Sequence, residues 1–515
     1  MELGIILKLF NSFPFFTPWS WLQVLLAFAS LIVVLRLVRP KPRCGCEICR
    51  SYLTLSWTKQ HPNLCDWYAQ LLENSPTKTI RVHVLGNIVT ANPRNIEYML
   101  KTRFDNYPKG KPFSGILGDF LGQGIFNVDG ELWRFQKRMV SLELNRFSIR
   151  SYAFEIVRSE IDARLVVLLS SVASRNDVAD LQDVFKRFSF DCICRFSFGL
   201  DPKCLELSLP ISKFAASFDL ASKLSAERAM KTSPYMWKLK RVLNIGSEKK
   251  LKEAINVIDI LASEVIKQKC KIGISSDNRD LLSRFMVTVS DKKYLRDIII
   301  SFLLAGRDTV ASALTCFFWI LARNPNIRAK ICTEADQVIG DRDLTSYEQL
   351  EKLHYLHAAV FESMRLYPPI QFDSKFCLED DVLPDGTPVA RGTRVTYHPY
   401  AMARIEEIWG KDCTEYRPER WLEDGKFVGE NQYKYPVFQG GLRVCLGKEM
   451  AILEMKTVAL SLVRRFHIEL SEPNQDVLRF SSGLTATVRG GLRVYVRECA
   501  SKPHAQAPGD VGKKI

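Results

Sequence analysis

"PVFQGGLRVCLG", residues 436–447, sets a single cysteine, Cys445, among Gly440, Gly441 and Gly447 and two residues after Arg443. It runs directly into "GKEMAILEMKTVALSLVRRF", whose apolar spacing predicts a helix. A thiol at a helix start meets unpaired backbone N–H groups and the positive end of the helix dipole, so a thiolate is favoured there. A stabilised thiolate is either a nucleophile or a metal ligand. A nucleophile needs a base, and none of the seven histidines is adjacent in sequence. For an iron ligand, the glycines would let a flat macrocycle lie close to the backbone and Arg443 could pair with a carboxylate on its rim. Both readings stand on this stretch alone.

The rest of the chain narrows them. At 515 residues and 47% hydrophobic composition it can bury a large core. A formal charge of +15 suggests acidic partners: nucleic acid, an anionic membrane face or an acidic protein. No Lys/Arg-dense run interleaves with aromatics and no zinc-finger or RNP-like motif occurs, so nucleic acid ranks last. From Pro18 to Leu35, "PWSWLQVLLAFASLIVVL" carries no charge over 18 residues, about the minimum for a bilayer span. Arg36, Arg39, Lys41 and Arg43 follow, placing the bulk of the chain on the cytoplasmic side. A cleaved signal peptide would need small residues where arginine and proline stand, so residues 1–43 are expected to be a retained anchor with a basic flank. Residues 502–515 are polar and expected to be disordered.

Fourteen cysteines scattered through a chain placed in reducing cytosol are expected to be free thiols. The tightest group, Cys44, Cys46 and Cys49 in "CGCEIC", offers three ligands and no second CxxC at zinc spacing. Reduced cysteine is the expectation there, with acylation beside the membrane as the alternative.

"TIRVHVLGNIVTANP" (79–93) predicts a hairpin about Gly86–Asn87, and "LTATVRGGLRVYV" (484–496) another. The glycine-rich stretch 110–130, studded with Phe113, Ile116 and Phe120, reads as an apolar loop that either lids a pocket or is tucked on the core. Residues 133–324 carry mostly helical periodicity. Within them "YLRDIIISFLLAGRDTVASALTCFFWILA" (294–322) is apolar enough to span a bilayer, but Arg307 and Asp308 at its centre would cost several kcal/mol in lipid. A core helix is expected instead. Downstream, "FESMRLYPP" places Glu362 and Arg365 three apart on one helical face, and "YRPERW" follows with Arg420 and Trp421.

The pattern Phe438, Gly441, Arg443, Cys445, Gly447 resembles the haem-binding signature of the cytochrome P-450 family, and four further segments resemble that family's motifs in order. The resemblance implies a mainly α fold with a small β-rich subdomain over residues 44–501, behind the N-terminal transmembrane anchor. It implies that Cys445 is the axial ligand of a haem iron. Asp308 and Thr309 in "AGRDT" would supply an acid and a hydroxyl for proton relay. Glu362, Arg365 and Arg420 would form a buried network, a structural role, since buried charges must be fully satisfied. Trp421 stands where the family usually has phenylalanine. Trp133 and Lys137 in "WRFQKR" would clamp a haem propionate, with lysine replacing the usual two-pronged arginine, and Lys375 would be a further propionate partner. The hinge after the anchor departs from the family's fuller proline-glycine run, keeping only Pro40 and Pro42.

Longer segments, among them "RFDNYPKGKPFSGILGDFLGQGIFNVDGELWRFQ" and "YPPIQFDSKF", resemble a plant clade that oxidises the terminal carbon of aliphatic chains. What that implies is a lipophilic substrate: a fatty acid, the jasmonoyl-isoleucine hormone, or the side-chain end of a sterol bound for steroidal alkaloids. Attack at a methyl end needs a narrow approach to the reactive centre. Ile116, Phe120, Leu304, Ala305, Ile370, Phe372, Leu484 and Thr485 are the expected lining. No G-x-G-x-x-G follows a strand, so electrons must come from a partner. The resemblance implies the NADPH-dependent flavoprotein reductase of the endoplasmic reticulum membrane, with Lys137, Arg138, Lys434 and Lys448 as expected contacts. Two rival functions are rearrangement of a fatty acid hydroperoxide and a non-catalytic haem sensor. The intact Asp308–Thr309 pair speaks against both.

Overall fold

The apolar run around Arg307 and Asp308 folds as one rod, Lys292–Arg323, with 83% of its most apolar stretch buried inside protein. It is long and apolar enough to cross a membrane and is instead the central core helix, as its charges require. Asp291 caps it by accepting from the Lys293 amide at 2.9 Å. The rod widens into a π turn at Leu304–Asp308 before resuming at Thr309. A Cβ on Gly306 in that turn would stand 2.4 Å from the Ile193 side chain, so only glycine admits the neighbouring helix so closely.

The computed structural model describes residue 30 and residues 44–144, 147–206, 213–272, 280–340, 344, 346–472, 476–481 and 483–499. Apart from Ser30, the expected anchor (1–43) and the expected disordered tail (502–515) lie outside the described residues. The helices that shape the site are, in chain order, α1 (Glu47–Thr54), α2 (Gly110–Leu121), α3 (Gly130–Leu144), α4 (Leu181–Phe198), α5 (Lys213–Ala229), α6 (Pro234–Leu243), the rod α7 (Lys292–Arg323), α8 (His354–Leu366) and α9 (Lys448–Arg465). The strands are β1 (Thr79–Val82), β2 (Asn87–Thr90), β3 (Val178–Asp180), β4 (Asp373–Phe376), β5 (Arg394–Tyr397), β6 (Phe466–Leu470) and β7 (Arg493–Glu498). The chain is thus mainly helical with small sheets. One sheet runs β1-β2-β5-β4, antiparallel except for the β2–β5 pair. A second runs β6-β7-β3.

The hairpin at 79–90 forms as expected, pairing Thr79 with Thr90 and Val82 with Asn87. Its connection is a 3-10 turn, His83–Leu85, closed by Gly86 at φ 56°. Two other expectations fail. Residues 484–496 are not a hairpin: Thr487–Val488 pairs with Phe480–Ser481, whereas β7 pairs with β6 and β3. The two halves turn apart at Gly490 and Gly491, both at positive φ.

Nor is the glycine-rich stretch a loop, since Gly110–Leu121 is helix α2. Its glycines cost about 1 kcal/mol each relative to alanine. Burying Leu117, Phe120 and Leu121 returns about 1.5–3 kcal/mol apiece, so the packed face wins. Phe120 meets Phe218 of α5 edge to face, ring centroids 5.1 Å apart.

Candidate active site

α2, α3, α4, α7, the 436–447 turn and the segments 369–376 and 480–486 enclose a cavity of about 560 Å³, lined mainly by apolar side chains. Of the expected lining residues, Ile116, Leu304, Ala305, Ile370, Phe372, Leu484 and Thr485 are on its wall. Phe120 is not. It is fully buried behind the wall in its contact with Phe218. Phe302 and Ile193, not singled out in the sequence, do line the cavity.

Cys445 lies deep inside the protein yet keeps accessible surface, because that surface faces the cavity. Its amide donates to the Phe438 carbonyl at 2.8 Å, which closes the turn. Burial is the largest influence on the thiol and pushes its pKa up, with the Gly447 amide and Lys448 pulling the other way. The helix-start donors expected from the sequence are therefore present and are outweighed by desolvation. The three glycines divide their roles. A Cβ on Gly441 would meet the Leu100 carbonyl oxygen at 2.0 Å, and one on Gly440 would press on Tyr433 at 3.1 Å. Only Gly447 lines the cavity, and a Cβ there would meet nothing within 4 Å.

One wall gathers positive charge. Arg443 donates to Asp129 (2.6 Å) and the Val128 carbonyl (2.9 Å) and stacks 4.5 Å over the Trp133 ring. Its Nε is buried without a partner. Lys137 donates to the Leu442 carbonyl at 2.6 Å, and burial, then Arg443, lower its pKa. Lys109 and Lys375 flank Asp373 at 2.5 and 3.0 Å, and Tyr397 donates to the same carboxylate at 3.0 Å and to Gln439. Burial would raise Asp373, but the two ammonium groups hold it well below the usual carboxylate range. Burial brings Lys375 down to about 7, with Asp373 opposing. Lys109, Lys137, Arg443 and, when protonated, Lys375 thus face two carboxylates, Asp129 and Asp373, so positive charge is in excess on this wall.

On the opposite wall Thr309 lines the cavity, its hydroxyl donating to the Ala305 carbonyl at 2.5 Å across the π turn. Asp308 does not line it. Its carboxylate accepts from Arg307 at 2.8 Å, and Arg307 also reaches Asp219 at 2.6 Å, which Lys186 pairs at 2.8 Å. Burial raises the Asp308 pKa, with Arg307 opposing.

Glu362 and Arg365 are completely buried and bonded in a two-pronged pair at 2.7 and 2.9 Å. Arg365 also donates to the carbonyls of Ala403, Cys413 and Glu415. Arg420 donates to Glu362 at 3.2 Å and to Asp412 at 3.1 Å. The tryptophan at 421 has a purpose: its indole N–H donates to Glu362 at 2.9 Å, a bond phenylalanine cannot make. Trp421→Phe is expected to cost about 1.5–3 kcal/mol, the value of a hydrogen bond to a charged group, and to lower the thermal unfolding midpoint without changing turnover at 25 °C. Thermal scans beside activity assays check this.

A cysteine facing an apolar cavity, a cationic wall and a threonine directly after a widened helix turn are the parts of a haem-thiolate monooxygenase, and the model of the cytochrome P-450 family matches residues 53–492: the chain belongs to that family. It groups with plant members. It is 57% identical over 463 residues to cytochrome P-450 94C1 of Arabidopsis thaliana, covering 88% of this chain and 93% of that protein. Cytochrome P-450 94B1 of the same plant is 45% identical over 457 residues (86% of this chain, 89% of the relative). Cytochrome P-450 94A1 of Vicia sativa is 42% identical over 457 residues (86% and 88%).

The family uses a thiolate-ligated haem and electrons drawn from NADPH through a reductase. The residues present fit that group. Haem carries two carboxylates on its rim, which suit the excess of positive charge and the unpartnered Arg443 Nε, and would favour the charged form of Lys375. Cys445 opens onto the same cavity, and Gly447 leaves its wall bare. Sequence reading missed Lys109, Asp129, Asp373 and Tyr397 from this wall; they belong to no shared local motif and meet only through the sheet and the α2–α3 segment.

Proposed function

We propose that the chain hydroxylates the terminal carbon of an aliphatic chain whose other end is a carboxylate, a fatty acid or a fatty-acid-derived hormone such as jasmonoyl-isoleucine. Repeated turnover would carry the alcohol to aldehyde or acid. The observation that carries this reading is Arg394. It lines the cavity, donates to the Ala229 carbonyl at 3.1 Å, keeps a buried Nε without a partner, and pairs with no carboxylate among the described residues. It begins β5, whose other end, Tyr397, belongs to the cationic wall; three residue steps along the strand set their backbones about 10 Å apart. An unpaired guanidinium about 10 Å along β5 from the cationic wall suits a substrate anchored by its carboxylate with its methyl end toward Thr309.

Bound haem supplies oxygen activation and hydrogen abstraction, which no side chain can perform. Cys445 would hold the iron, Lys137, Lys375 and Arg443 the propionates beside Trp133, and Phe438 the underside of the turn. Thr309 Oγ1 would deliver protons toward the cavity by turning its hydroxyl hydrogen off the Ala305 carbonyl, which holds it at rest. Asp308 would take up a proton and pass it to that hydroxyl after its carboxylate leaves Arg307, which stays paired with Asp219. Thr309→Ala is expected to keep NADPH and oxygen consumption while cutting hydroxylated product at least tenfold; unchanged product per NADPH removes Thr309 from the relay.

The anchor at 1–43, the single catalytic domain at 44–501 and residence on the endoplasmic reticulum membrane are part of the same reading. What supports the membrane is the uncharged run 18–35 and a row of exposed apolar side chains on α6, Tyr235, Met236, Leu239, Val242 and Leu243. For reductase docking, Arg138 is exposed, whereas Lys137 is turned inward onto Leu442, Lys448 lies over the Phe361 and Phe438 rings, and Lys434 is paired with Glu430. Arg138 is the contact retained.

The deciding comparison is kinetic. Arg394→Gln is expected to raise KM for a fatty acid about tenfold or more, the value of one charge-assisted hydrogen bond, and to leave its methyl ester unaffected. Equal effects on acid and ester, or efficient turnover of a hydroxylated cholesterol instead, would move the assignment to sterol side-chain oxidation.

A further inference from the structure

Four soft donors converge well outside the cavity. Cys44, Cys46 and Cys49, at the start of α1, meet His83 on the turn between β1 and β2, with one donor atom from each within 4.8 Å of all the others. His83 Nδ1 lies 3.4 Å from Cys44 Sγ and 3.9 Å from Cys46 Sγ. Tetrahedral zinc, with Zn–S about 2.3 Å and Zn–N about 2.0–2.1 Å, holds sulfur and nitrogen ligands about 3.6 Å apart and two sulfurs about 3.8 Å apart. The observed separations bracket the first value, and the 4.8 Å limit leaves only a small contraction for the second. All three thiols are free, so no disulfide competes for them. The fourth ligand is invisible to a local reading of "CGCEIC" because it stands 37 residues after Cys46 and arrives only when the hairpin folds.

We propose that Cys44, Cys46, Cys49 and His83 bind one Zn²⁺ as a structural site. Three thiolates and a neutral imidazole close the coordination sphere, leaving no open position for substrate, as in structural rather than catalytic zinc. Binding forms three Zn–S bonds and one Zn–N bond and releases three thiol protons and the metal's bound water. Cys49 is buried, Cys44 and Cys46 half-buried and His83 exposed, so the ion sits at the surface with a path for loading. The consequence is mechanical. The ion staples α1, which follows the basic flank in sequence, to the β1–β2 edge of the sheet, and so fixes the start of the catalytic domain where the sequence offers only a short proline hinge.

The test is metal analysis of the full chain purified in detergent without a histidine tag. Iron and zinc are each expected near one per chain. Zinc-edge X-ray absorption is expected to fit three sulfurs at about 2.3 Å and one nitrogen at about 2.0–2.1 Å. His83→Ala and Cys46→Ser are expected to lose zinc to background while keeping iron and the thiolate-type carbon-monoxide spectrum, because these ligands lie outside the haem cavity. Wild type with full iron, background zinc and no uptake of added Zn²⁺ overturns the site, as do a disulfide among the three cysteines or zinc retained by both variants. The wild-type absorption spectrum decides even if a variant fails to fold, since a zinc signal without sulfur ligands contradicts the proposal.

Discussion

Glu362→Gln is expected to give no folded, haem-loaded protein. The Glu362 carboxylate lies completely buried and accepts from Arg365, Arg420, the Trp421 indole and the Arg417 amide. An amide side chain removes the charge that offsets a fully buried guanidinium and turns an N–H toward Arg365, which is itself all donors. Breaking a buried pair from one side costs about 3–5 kcal/mol. Net stability of a protein is only about 5–15 kcal/mol, and here the lost bonds to Arg420 and Trp421 add to the deficit. Expression yield, circular dichroism and the carbon-monoxide difference spectrum read the outcome. Near-wild-type haem loading would mean that the network is dispensable and that the three carbonyls around Arg365 satisfy it without Glu362.

The second large effect separates chemistry from fold. Cys445→Ser is expected to abolish the thiolate-type carbon-monoxide band and reduce NADPH-dependent turnover to background, with helix content unchanged. The turn around residue 445 is held by backbone: the 445 amide to Phe438, Gly441 against Leu100, and Gln439 at φ 63°. A serine preserves all of these, while its hydroxyl is a far poorer iron ligand than a thiolate. Retained turnover would overturn the assignment of Cys445. Loss of helix together with loss of the band would say instead that the sulfur is needed for folding.

What the sequence made legible was what short spacing encodes. Cys445 and Arg443 sit two apart on a turn, Glu362 and Arg365 one helical turn apart, and the charges inside 294–322 told a core helix from a membrane span. The misreadings have physical causes as well. Glycines at 110, 115, 118 and 122 hid the 3.6-residue spacing of the apolar side chains in α2, and their cost is smaller than the burial they accompany. Alternation in 484–496 identified strands but not their partners, because pairing is set by distant chain. The same limit concealed Lys109, Asp129, Asp373 and Tyr397, which join Lys137, Lys375 and Arg443 in the cationic wall across more than three hundred residues, and it concealed Arg394 and His83. Asp308 shows a further limit: the motif placed the residue on the rod, while its orientation, toward Arg307 rather than the cavity, was beyond any motif.

The central claim is that this monooxygenase attacks the terminal carbon of a carboxylate-ended chain. Its most direct test is product analysis by mass spectrometry on microsomes containing the chain and its reductase, offered NADPH with saturated and unsaturated fatty acids, jasmonoyl-isoleucine and hydroxylated cholesterols. The account predicts a terminally hydroxylated acid or hormone conjugate that requires NADPH. Hydroxylation confined to internal carbons, or a sterol product with no acid product, would contradict it.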